Sequence, residues 1–167
     1  QARHEAFRSG TTLDYQVMRA AAEAMGTIGA PEFFPQLLDA VLLRYSEDVA
    51  NVAEEQLYSL EGESLALAQE TLTSLDPGPM RQATEYFLAT DRFSEEEKLS
   101  LAEAALSDAV QTEPQSSEGI NALRYVRYES LELIREAQYS DATDAVIAHF
   151  NKLVGEYGDG AVSRSRM

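Results

Sequence analysis

The sequence repeats an amphipathic helical pattern at intervals of about 32 residues, and this internal period limits the folds that the chain can adopt. Val17 aligns with Val49 at a shift of 32 residues, and Val49 aligns with Met80 at a shift of 31. A weaker copy lies around Val126. Because a second amphipathic segment follows each copy, the repeating unit is a pair of helices. One pair cannot bury its own apolar face, whereas stacked pairs build a continuous core.

Turn signals and helical spacing predict eight helices. Segments rich in glycine, proline and serine separate stretches in which apolar residues recur every three or four positions. No stretch shows the sustained alternation typical of a strand. The predicted helices cover 13–28, 32–44, 47–60, 63–75, 79–90, 94–110, 118–137 and 141–157, with a possible short helix before residue 9.

Hydroxyl and carboxylate residues mark the starts of several of these helices. Ser94 and Glu97 have the spacing of a capping box, in which each side chain accepts a hydrogen bond from the other residue's backbone N–H. The same reasoning predicts a box at Thr11 with Asp14 and single N-caps at Ser46, Ser64 and Ser140.

Glycine and proline shape the turn inside the first helix pair. Gly29 lies where a helix C terminus needs a left-handed residue, and Pro31 fits the first turn of the next helix. Pro35 lies deeper in that helix, where a proline removes a backbone hydrogen bond. We therefore predict a 3₁₀-like first turn there.

The first repeat, VMRAAAEAMGTIGAPEFFPQLL, resembles the short HEAT-type repeat of bacterial PBS-lyase proteins. The residues that fit that pattern are Val17, Ala20, Ala21, Glu23, Ala24, Met25, Gly26, Ile28, Gly29, Pro31, Glu32, Pro35, Leu37 and Leu38. The resemblance is best over residues 13–90. It implies an all-α, right-handed, armadillo-like α-solenoid of about four helix pairs, forming one domain over 1–160 before a flexible tail at 161–167. A compact antiparallel helical bundle is the alternative architecture.

Composition excludes several function classes. The formal net charge of −16 argues against nucleic-acid binding, because phosphate contacts need a basic surface. No apolar run approaches the roughly 18 residues of a transmembrane helix, so we predict no membrane insertion. The absence of cysteine excludes disulfides, thiol nucleophiles and cysteine-ligated zinc.

The sequence carries no recognisable catalytic or metal-binding signature. His149 has no carboxylate or histidine one turn away, and His4 lies near a chain end. Ser64, in the segment GESLA, follows no predicted strand and is better explained as a helix cap than as a nucleophile. We therefore predict no catalytic residue, no metal and no cofactor, and favour a non-enzymatic role. The family resemblance leaves a lyase-like or cofactor-handling subunit as the alternative.

The predicted helix at 118–137 carries an unusual arginine stripe for so acidic a chain. Its apolar face comprises Leu123, Val126, Ser130, Leu133, Ile134 and Ala137, a second face carries Arg124, Arg127 and Arg135, and a third carries glutamates. The arginines either bridge acidic neighbouring helices or form a recognition face, since arginine and tyrosine are enriched in binding hot spots. The repeat alignment predicts these partner-binding residues: Arg19, Asn51, Arg81, Tyr86, Arg124, Arg127 and Tyr128.

These observations together predict a scaffold that binds a protein or peptide partner in the groove of a helical repeat. The sequence does not determine the oligomeric state or the identity of the partner. It does not determine the compartment either; we expect a soluble chain and favour the cytoplasm.

Overall fold

The computed structural model describes the backbone of residues 14–164 and the side chains of residues 14–155. This part of the chain is built of eight α-helices and contains no strand, which confirms the predicted all-α class. The helices are α1 (Tyr15–Ile28), α2 (Phe34–Leu43), α3 (Glu47–Leu57), α4 (Ser64–Ser74), α5 (Pro77–Ala89), α6 (Glu95–Gln111), α7 (Ser117–Ala137) and α8 (Thr143–Arg164).

The chain divides into two compact units. The first ends at Ser64 and contains α1 to α3, and the second begins at Leu65 and contains α4 to α8. The single domain predicted over 1–160 stays a prediction. The backbone at 161–164 is helical, where we expected a flexible tail, and 165–167 lie outside the described residues. The short helix considered before residue 9 also lies outside them.

In the first unit, α3 packs against both α1 and α2. Its core combines Phe34, Leu37 and Leu38 of α2 with Val49 and Leu57 of α3, and each of these side chains is buried. Burial of this apolar surface is the main force that holds such helices together.

Glycine residues allow the close approaches within the first unit. A Cβ added to Gly26 of α1 would lie 2.7 Å from Cβ of Gln56, so α1 and α3 approach more closely there than a side chain would permit. Gly29 has φ of 74° and its N–H donates to the carbonyl of Met25, as predicted for the end of α1. The backbone N–H of Glu61 donates to the carbonyl of Gly29 at 2.8 Å. This hydrogen bond links the turn after α1 to the segment that follows α3.

The predicted 3₁₀ turn is confirmed, whereas the prediction that Pro35 lies deep in the helix is wrong. A 3₁₀ turn runs from Pro31 to Phe33, and α2 begins only at Phe34. Pro35 therefore occupies the first turn of α2, where its missing N–H breaks no helical hydrogen bond.

The N-cap predictions are partly confirmed. Ser46 accepts from the N–H of Val49 at 3.2 Å. At the start of α1 the cap is Asp14, whose carboxylate accepts from two backbone N–H groups, and Thr11 lies outside the described residues. The prediction for Ser140 is wrong: a 3₁₀ turn runs from Ser140 to Ala142, and its N-cap position is Tyr139.

The capping box at the start of α6 is confirmed and couples helix stability to pH. Glu97 donates its N–H to Oγ of Ser94 at 3.3 Å, and the Glu97 carboxylate accepts from the N–H of Ser94 at 2.7 Å. The hydrogen bond from the Ser94 backbone, aided by the Ser94 hydroxyl, lowers the pKa of Glu97 below 4.5. A lowered folded-state pKa stabilises the fold above the unfolded-state pKa, and this contribution is lost as pH falls through the folded-state value.

Glu97→Gln is therefore expected to lower the free energy of unfolding more at pH 7 than at pH 3. As the pH falls, protonation of Glu97 in the wild type removes the same charge that the substitution removes. Urea unfolding of both proteins at several pH values measures the difference. A difference that stays constant from pH 7 to pH 3 would contradict the charge-based account.

In the second unit, α5 packs against α6 and α7, and α6 packs against α7 and α8. Buried residues of α6, α7, α8 and the 3₁₀ turn before α8 form a continuous cluster, which comprises Ala102, Leu106, Val110, Ile134, Ala142 and Ala145. A helix of this unit thus packs on the next helix but one, as α5 does on α7 and α6 does on α8.

Two hydroxyl groups are buried in this unit without a hydrogen-bond partner among the described residues. They are Oγ1 of Thr84 on α5, in a side chain that is 1% exposed, and Oγ of Ser130 on α7, in a fully buried one. A buried polar group without a partner costs free energy relative to an apolar group of the same shape.

Thr84→Val keeps the shape of the side chain and removes its hydroxyl. We expect the free energy of unfolding to rise by about 1 kcal/mol. Chemical denaturation measures the change. A decrease of similar size would show that the hydroxyl forms a stabilising hydrogen bond in solution.

Candidate functional site

The second unit presents exposed arginines beside tyrosines on α5 and α7. The guanidinium carbon of Arg81 on α5 lies 4.4 Å from the ring centroid of Tyr125 on α7, in cation–π geometry. Arg124 precedes Tyr125 and is exposed, and Tyr128, one helical turn after Arg124, is 61% exposed. We call Arg81, Arg124, Tyr125 and Tyr128 the Arg–Tyr surface.

Tyr125 is the half-buried centre of this surface. Burial raises the pKa of its hydroxyl, the carboxylates of Glu129 and Glu85 raise it further, and the charge of Arg81 opposes them. The hydroxyl therefore stays protonated at neutral pH and can both donate and accept a hydrogen bond.

The arginines of α7 differ in what they contact. Arg135 forms an ion pair with Glu132 and lies 3.7 Å from the carboxylate of Glu136. Arg124, in contrast, forms neither an ion pair nor a hydrogen bond within the described part of the chain. Arg124 is thus a cation available to an external ligand, in a chain with 29 acidic residues.

Arg127 does not lie on the exposed face that the sequence predicted. Its side chain is 7% exposed, and both Nε and Nη2 donate to the carbonyl oxygen of Ala109, at 2.9 and 2.7 Å. The spacing of Arg127 from the apolar residues of α7 already indicates that its side chain is buried. Arg127 follows Leu123 by four residues and precedes Ile134 by seven, so it lies on the apolar face of α7.

Arg127 helps to satisfy the C-terminal carbonyls of α6. The last carbonyls of a helix have no intrahelical partner. Here the N–H of Thr112 donates to Asp108, Arg127 donates to Ala109, and the ammonium of Lys152 donates to the carbonyl of Val110. Two cations at this end also interact favourably with the helix dipole.

The remaining predicted partner-binding residues are Arg19, Asn51 and Tyr86. Arg19 on α1 forms an ion pair with Glu23 at 3.0 Å, and Asn51 on α3 is exposed; both belong to the first unit. Tyr86 on α5 is half-buried, with its ring centroid 5.5 Å from that of Phe87. The structure therefore groups Arg81, Arg124 and Tyr128 around a residue that the sequence analysis did not select, Tyr125.

A polar cleft lies between α4 and α6 in the second unit. Its volume is about 460 Å³, and it is open to solvent. Among the described residues that line it, Ala104 is apolar, and the polar ones are Gln69, Glu70, Thr73, Ser100, Glu103 and Ser107.

Helix α8 carries apolar side chains on the side that faces away from the core. Ile147, Phe150 and Val154 are each more than half exposed, and their spacing of three and four residues places them along one line. The opposite side of α8 packs into the core through Ala145.

The described residues contain no group of three or more histidine, cysteine, aspartate or glutamate side chains arranged to hold a metal ion. None of the described helices combines the length and apolar composition that crossing a bilayer requires. His149 lies half-buried on α8, and His4 lies outside the described residues.

No match to this chain was found among models of protein families, curated proteins or solved structures.

Proposed function

We propose that the chain is a HEAT-like helical-repeat scaffold that binds a protein or peptide partner through the Arg–Tyr surface. The observation that carries the proposal is the exposed pair Arg124 and Tyr128, one turn apart on α7 and next to the stacked Arg81 and Tyr125. Arginine and tyrosine are the residues, with tryptophan, that most often dominate binding energy at interfaces.

The helix packing of the second unit supports the repeat architecture. In a stack of helix pairs, each helix contacts the equivalent helix of the next pair. The pairs α5–α6 and α7–α8 follow this rule, because α5 packs on α7 and α6 packs on α8. The sequence period of 31–32 residues between Val17, Val49 and Met80 agrees with it.

The electrostatics favour a partner that supplies an acceptor to Arg124. Because no carboxylate in the described part of the chain pairs with Arg124, a carboxylate or carbonyl of the partner can form a charge-assisted hydrogen bond there. Tyr128 offers a rigid ring at little entropic cost, since its side chain has only two rotatable bonds.

Selection from a random-peptide phage library on the immobilised wild-type chain tests the proposal. Each selected peptide is then scored on the Arg124→Ala/Tyr128→Ala variant and on Arg135→Ala, a control on the same helix. We expect most selected peptides to lose binding to the double variant and to keep binding to the control. If no selected peptide distinguishes the two variants, the Arg–Tyr surface is not the binding site.

A further inference from the structure

The cleft between α4 and α6 is lined by hydrogen-bond acceptors. Carboxylates line it from both helices, Glu70 from α4 and Glu103 from α6, and none of its described lining residues is a lysine or an arginine. Neither glutamate forms an ion pair with another described residue. Its volume of about 460 Å³ lies in the range of roughly 300–1,000 Å³ that small-ligand sites occupy.

One hydrogen bond fixes the two walls of the cleft relative to each other. Gln69 of α4 donates its side-chain amide N–H to Oγ of Ser100 on α6 at 2.9 Å. Thr73 donates its hydroxyl to the backbone carbonyl of Glu70 at 3.0 Å, which leaves the hydroxyl oxygen able to accept a hydrogen bond. These two hydrogen bonds position the side chains of Gln69, Ser100 and Thr73 before any ligand arrives, which reduces the entropic cost of binding.

The carboxylate of Glu103 also acts on Tyr139. Tyr139 is half-buried beside the core of the second unit. Burial raises the pKa of the Tyr139 hydroxyl, and three carboxylates raise it further, those of Asp141, Glu103 and Glu96.

We propose that this cleft binds a cationic side chain of a partner, a guanidinium or ammonium group held between the carboxylates of Glu70 and Glu103. A guanidinium carries five N–H donors and no acceptor, which matches a lining of carboxylate, hydroxyl and amide oxygens. The site is independent of the Arg–Tyr surface, because it lies on α4 and α6 rather than on α5 and α7. The open shape predicts weak, millimolar binding of an isolated side chain.

An NMR titration of the full chain with N-acetyl-arginine amide tests the site. The matched ligand is N-acetyl-citrulline amide, which has nearly the same shape but no charge. We expect saturable shifts in the side-chain amide of Gln69 and the backbone amides of Ser100 and Ser107 with the arginine compound only. Equal shifts with the citrulline compound would overturn the proposal.

Two double variants show whether the arginine compound binds at this cleft or is attracted only by the negative charge of the whole chain. Glu70→Gln/Glu103→Gln is expected to weaken binding of the arginine compound at least about tenfold, because two charge-assisted hydrogen bonds are lost. Asp39→Asn/Glu55→Gln removes the same charge from exposed positions on α2 and α3 and should change the affinity less than twofold. Equal losses in both double variants, or no loss in the first, would overturn the proposal. Circular dichroism verifies that each variant is folded.

Discussion

Arg127→Ala is expected to lower the free energy of unfolding by about 2–4 kcal/mol. The substitution removes two hydrogen bonds from a buried guanidinium and leaves the carbonyl of Ala109 without that donor near the end of α6. It also leaves a cavity, because the replaced side chain is 7% exposed. Urea unfolding followed by circular dichroism at 222 nm measures the change.

Two further variants show whether the geometry of Arg127 is the cause. Arg124→Ala removes the same type of side chain from an exposed position on the same helix and should change the stability by less than about 0.5 kcal/mol. Arg127→Lys should recover only part of the loss. Lysine restores the positive charge, but its ammonium group cannot reproduce the two N–H donors that the guanidinium directs to one oxygen. Similar stabilities of Arg127→Ala and Arg124→Ala would contradict a structural role for Arg127.

Phe87→Ala is expected to cost more, about 3–5 kcal/mol. The ring of Phe87 on α5 is fully buried, and its centroid lies 5.8 Å from that of Phe93 in an edge-on arrangement. The substitution therefore removes apolar burial and an aromatic pair, and it leaves a cavity in the second unit. The same urea experiment measures the loss.

Phe150→Ala is the matched control for Phe87→Ala, because Phe150 on α8 is 64% exposed. Its loss should be below about 1 kcal/mol. Equal losses in the two alanine variants would show that Phe87 is not buried in solution.

Much of the helical framework was predictable because its signals are local. The Ser94–Glu97 box, the left-handed Gly29 and the proline turn before α2 each depend on residues within a few positions of one another. Local backbone preferences and side-chain hydrogen bonds suffice to place such features. Ser140 shows the limit of this reasoning, because a 3₁₀ turn precedes α8 and moves the cap position to Tyr139.

The candidate site was harder to predict because it depends on contacts between helices. In the sequence pattern Arg127 and Arg124 belong to one charged stripe, yet α7 buries the guanidinium of Arg127 against α6 and leaves that of Arg124 exposed. Tyr125 was not selected, since its importance follows from Arg81, which is 44 residues earlier in the chain and stacks on its ring. A contact between residues so far apart in the chain cannot be recognised from a single sequence.

The central claim is that α7 holds the second unit together through one side and binds a partner through the other. Isothermal titration of a library-selected peptide into the Arg124→Ala/Tyr128→Ala variant tests it most directly. The account predicts an affinity at least about tenfold weaker than that of the wild type, with an unchanged urea midpoint. Wild-type affinity in a folded variant would contradict it.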